Sequence, residues 1–91
     1  MDENLPKTRK MFAALAEIVE ERNYQTARWT PEHDKEHSPA EWLAILAVYI
    51  GKAAMECPPY TTSPKKMAAF RKRVRQVGAI CAAILEATGR E

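Results

Sequence analysis

The sequence predicts an all-α fold: three main helices in an antiparallel bundle, with one short helical turn between the first and second, working as an oligomer. Three observations predict it. Apolar residues recur at three- and four-residue steps in three separate segments. Two of those segments open on a serine followed by proline, a helix-start signal. No segment alternates apolar and polar residues with the period of two that a half-buried strand requires. The 91 residues make one domain, 1–91, just above the size at which a lone core becomes marginal, so burial between copies is expected to help.

The first helix is expected from about Pro6 to Asn23. Met11, Phe12, Leu15, Ile18, Val19 and Arg22 fall on one stripe, with Glu17, Glu20 and Glu21 mostly off it. Pro6 suits a first turn, where its missing N–H would be unpaired anyway. Thr30-Pro31-Glu32 then reads as the start of a single helical turn. The second helix opens with Ser38-Pro39-Ala40-Glu41, a capping box with proline at the first helical position. It continues without a charge from Trp42 to Ile50, and Lys52 is the next. A helix apolar on nearly every side has to be covered on nearly every side, so it is expected to be the central one. The same run is too short to cross a bilayer, which needs roughly 20 residues. Cys57-Pro58-Pro59 ends it, and Ser63-Pro64 starts the third helix, expected to run to about Ala87. Met67, Phe70, Val74, Val77, Cys81, Ile84 or Leu85, and Thr88 follow a seven-residue repeat there, which makes Cys81 a small core residue. Gly78, Ala79, Ala82 and Ala83 leave room for another helix, and Gly89 stands where a C-terminal cap is expected.

An apolar share of 46% and a charged share of 29% belong to a globular chain and exclude a disordered one. The net charge of +2 is slight but uneven. Lys65, Lys66, Arg71, Lys72, Arg73 and Arg75 form a basic run, and Glu32, Asp34, Glu36 and Glu41 an acidic one. The two can pair with each other, or the basic run can hold an anion. The cysteines have no metal spacing and the N-terminal segment has no apolar stretch, so a reduced, cytoplasmic setting is expected.

Three groups of residues carry candidate chemistry. His33 and His37, one turn apart if helical, have the spacing of two metal-binding imidazoles, with Glu41 as a third ligand and Asp34 adjacent. The Ser38-Pro39 start interrupts that line, so a hydrogen-bonded turn bracing the second helix is the competing expectation. Arg22, Gln25, Arg28 and Trp29 offer a guanidinium, an amide and an indole to a nucleobase. The plainer alternative pairs Arg22 with an acid such as Asp34 and packs Trp29 on Trp42. Arg71 and Arg75 share a helix face with Lys72 nearby and suit phosphate groups. A nucleic-acid grip is weakly supported, because the patch is short. No glycine-rich phosphate loop and no nucleophile–base arrangement is readable.

Taken together, Glu21-Arg22-Asn23-Tyr24-Gln25, Trp29, His33-Asp34, His37, Glu41-Trp42-Leu43, Gly51-Lys52-Ala53, Phe70-Arg71, Val77 and Glu86 resemble a group of small phage and prophage proteins. That group is similar to the MazG-like all-α nucleoside triphosphate pyrophosphohydrolases, and the resemblance spans about residues 17 to 90. It implies two helices presenting carboxylates to Mg²⁺, one through a Glu-Glu-x-x-Glu pattern and the other through Glu-x-x-Asp. Placed by Gly51, the first pattern falls on Val48, Tyr49 and Lys52, and the second near Arg73 and Gln76. None of these is acidic, so the metal motifs are degenerate and no catalytic residue is assigned. The expectation is a non-catalytic binding or interaction protein without a cofactor. It would bind a nucleotide or phosphate through Arg22, Gln25, Trp29, His33, Asp34, His37, Lys52, Arg71 and Arg75, or interfere with a host protein. The alternatives are a pyrophosphohydrolase with an atypical Mg²⁺-dependent site and a nucleic-acid-associated helical module.

Overall fold

A computed structural model describes residues 4–28, 37–57 and 63–89. They form three helices, α1 (Asn4–Arg28), α2 (Pro39–Glu56) and α3 (Pro64–Thr88), and no strand among the described residues. The all-α prediction holds. The short turn expected at Thr30 lies outside the described residues. α1 is longer at both ends than its apolar stripe, because the polar flanks carry nothing that stops a helix; Pro6 falls within its first turn.

Both predicted caps form. Ser38 Oγ accepts the Glu41 N–H at 3.2 Å, and the Glu41 carboxylate accepts the Ser38 N–H at 2.7 Å. Ser63 Oγ accepts the Lys66 N–H at 3.3 Å. Gly89 caps α3 with φ −73° and ψ 165°, so the left-handed freedom of glycine is not used there, although a β-carbon would lie 2.7 Å from the Leu85 carbonyl oxygen.

Residue pairings give the helix directions. Trp42, early in α2, packs on Ile80 and Ala83, late in α3, while Glu56 at the end of α2 reaches back to Arg73. These two helices are antiparallel. Along α1 the order matches α3: Glu17 meets Arg71 and Arg75, Ile18 lies over Gly78, and Arg22 meets Glu86. The chain therefore runs up, down and up.

The central helix is α3, not α2. α3 packs against both others, whereas α1 and α2 scarcely touch. The reason is side-chain size. Ala79 and Ala83 are buried, and a β-carbon on Gly78 would lie 2.9 Å from Ile18 Cδ1, so small residues let α1 come close to α3. The apolar cluster of Trp42, Ile80 and Ala83, flanked by Ile45, Leu46, Tyr49, Ile84 and Ala87, holds α2 to α3. Cys81, expected in the core, is exposed, as are Val74 and Leu85 of the same repeat. The radius of gyration is 15.2 Å, against about 12 Å for a compact domain of this length.

Candidate functional site

Two grooves run along α3, one on each side of a ridge made by Phe70 and Val74. The first, about 250 Å³, lies between α1 and α3 over Ala14, Ile18 and Met67. Glu17, Arg71 and Arg75 stand at its edge. The second, about 340 Å³, lies between α2 and α3 and is lined by Ile50, Ala53, Ala54, Cys57 and Val77 together with the ridge. Met67, Phe70, Val74 and Val77 of the α3 repeat thus line grooves, while Ile84 packs against the apolar cluster.

The arginines expected to hold phosphate already hold carboxylates. Arg71 pairs with one oxygen of Glu17, and Arg75 Nη1 donates to the other at 3.1 Å. Hydrogen bonds first from Arg71 and then from Arg75 keep the Glu17 carboxyl below its usual 4.5. Arg73 donates to Glu56 through Nε at 2.9 Å and to Gln76 Oε1 at 3.1 Å. The three arginines of the basic run are therefore each paired with a carboxylate of α1 or α2, with Glu17 shared between two of them.

Arg22 and Gln25 are both buried, on α1 where it meets the end of α3. Arg22 donates to Glu86 through Nη2 at 2.9 Å and through Nε at 3.3 Å. Glu86, 64 positions away, is thus an acid that binds Arg22, and no local pattern could have revealed it. His37 meets Trp42 edge-on, ring centroids 4.9 Å apart, and Trp42 Nε1 is buried without a hydrogen-bond acceptor among the described residues. Trp29, His33 and Asp34, like Arg28's side chain, lie outside what is described.

Glu41, the third candidate metal ligand, is engaged by the cap: the Ser38 N–H and then the Ser38 hydroxyl lower its pKa below 4.5. Among the described residues, no group of three or more His, Cys, Asp and Glu side chains could hold a metal ion. The positions where the resemblance would put Mg²⁺ ligands do not fit a cation. Val48 is exposed, the Lys52 ammonium lies 4.7 Å from the centre of the Tyr49 ring, and the nearby carboxylate of Glu56 is bound by Arg73.

No protein-family model matches the chain, and no curated protein or solved structure matches it either. None of the described helices is long and apolar enough to cross a membrane.

Proposed function

We propose that this chain is a non-catalytic helical interaction protein whose working part is the open apolar face along α3. One observation carries the reading: Phe70, Val74 and Val77, whose spacing calls for burial, floor two grooves, while Arg71, Arg73 and Arg75 are each occupied by an internal carboxylate. Apolar area is what protein association draws on, and a core depleted of charge is the mark of an interface. The reading keeps the chain among small phage-type, MazG-like proteins only as a resemblance, with the enzyme's metal chemistry lost.

A photo-crosslinking residue placed at position 50 or 74 in expressing cells tests it. Crosslinks to protein are expected from both, and none from position 72 on the charged side of α3. Turnover of nucleoside triphosphates with Mg²⁺ or Mn²⁺, or absence of crosslinks from both groove positions, would sink it.

A second reading has one observation in its favour. Glu17 with Arg71 and Arg75 carries a net charge of +1 at the edge of an apolar groove, which suits an anion with a flat apolar part, such as a nucleotide. It requires a phosphate to displace Glu17. Isothermal titration against a nucleotide panel without Mg²⁺ should give heat that Arg75→Ala removes; flat traces would end this reading.

A further inference from the structure

We infer that the basic side of α3, widened by Lys10 of α1, is a landing surface for the phosphate backbone of duplex nucleic acid. This side lies apart from the apolar face described above, so the two readings stand or fall separately.

The first ground is register. α1 and α3 run parallel, with Glu17 level with Arg71 and Arg75. Lys10 stands seven residues before Glu17, and Lys65 seven before Lys72. Seven residues are close to two helical turns, about 10 Å, so each lysine shares a line along its helix with the later residue. Lys10 and Lys65 are thereby carried to the same end of the molecule, although they are far apart in sequence. Lys10, Lys65 and Lys72 are exposed, and no carboxylate among the described residues pairs with any of them. Beside them, Arg71 and Arg75 share the single carboxylate of Glu17, which leaves one further positive charge. Three free lysines and that surplus put a net charge of about +4 on one side.

The second ground is direction. At about 100° per residue, Lys65, Arg71, Lys72 and Arg75 fall within about 120° of the circumference of α3. Phe70, Val74, Cys81 and Leu85 fall within another arc, centred about 130° away. A helix that lies on a membrane presents its apolar side chains to the lipid with its cations beside them, whereas here the two groups are turned apart. An anion without an apolar part fits this side better. No aromatic ring stands on the basic arc, so unpaired bases have nothing to stack on, and the backbone of a duplex is left. Over the distance of about 10 Å between Lys65 and Lys72, one strand of a duplex presents about three phosphates.

The third ground is cost. Lys65 stands in the first turn of α3, where the positive end of the helix dipole opposes a cation, and no acid in that turn offsets it. A cation placed in this way works against its own helix, and an arriving phosphate turns the cost into attraction.

Fluorescence anisotropy of a labelled duplex of about 20 base pairs, titrated with the full chain, tests this. Binding at about 1–100 μM is expected in about 50 mM salt, weakening roughly hundredfold by about 200 mM. Lys65→Gln combined with Lys72→Gln should weaken it at least about tenfold and make the salt dependence shallower by about two contacts. The melting midpoint of that variant should equal or exceed wild type, because a cation leaves the start of α3. Arg9→Gln combined with Lys66→Gln removes the same charge from other sides of the two helices, both exposed, and should cost less than about threefold. No binding by wild type up to about 100 μM at low salt would overturn the inference, as would equal losses from the two pairs of substitutions. A lowered midpoint with unaltered affinity would make the lysines structural and overturn it too. Vesicles containing phosphatidylserine are the competing probe: uptake of the chain that the duplex does not reverse would assign the surface to lipid and end the inference. Protein crosslinks from position 50 or 74 do not depend on any of these outcomes.

Discussion

Glu17 accepts from two arginines of a different helix, and Glu41 closes the cap of α2, so two carboxylates tie local chemistry to the fold. Both have folded pKa values lowered from 4.5. As pH falls, the unfolded chain takes up these protons first, so their stabilisation is complete above 4.5 and is lost as pH drops below it through the lowered folded values. Glu17→Gln should therefore lower the denaturant midpoint at about pH 7 and leave a shallower loss towards about pH 3, read by urea titrations at a series of pH values. At the same scale, Ser38→Ala removes the hydroxyl that accepts the Glu41 N–H and should cost about 1 kcal/mol, measured at neutral pH.

α2 and α3 each carry their own start signal, which is why they begin at the residues their caps and prolines mark. Caps are local and legible. Which helix lies in the middle is not local, and the apolar run of α2 pointed to the wrong one. A stripe such as Phe70, Val74, Val77 and Cys81 shows which residues seek burial but not against what surface; among the described residues Val74 and Cys81 stay exposed, and Phe70 and Val77 are only part-buried. The candidate site was legible to a similar depth. Arg71 and Arg75 were readable as a cationic pair; that both bind Glu17 depends on the docking of α1, more than fifty positions away. The small residues of α3 were a better guide to its central place than hydrophobicity was. Gly78 is the sharpest case, with a β-carbon there 2.9 Å from Ile18 Cδ1. Gly78→Val should push α1 off α3 and cost about 1–3 kcal/mol by overpacking, despite removing a helix-weakening glycine. Thermal unfolding of the variant beside wild type measures it, and an unchanged or raised midpoint would contradict the close approach.

Across the whole molecule the two contacts of α3 differ in kind. α2 is held by an apolar cluster around Trp42, Ile80 and Ala83. α1 is held by Glu17 with Arg71 and Arg75, by Arg22 with Glu86, and by Ile18 over Gly78, while its Met11, Phe12, Leu15 and Val19 remain exposed. Ion pairs with partly exposed side chains weaken as salt rises, since screening shortens to about 3 Å at 1 M, whereas apolar burial does not weaken in this way. The hairpin of α2 and α3 is then the stable unit, and α1 is the element that opens first. Hydrogen exchange should show the amides of α1 around residues 14–25 exchanging faster than those of α2 and α3. Adding about 1 M sodium chloride should widen that difference by accelerating α1 alone. Uniform acceleration of all three helices, or protection of α1 equal to that of α3 at high salt, would mean that α1 is held by packing and that the distinction between the two contacts is wrong.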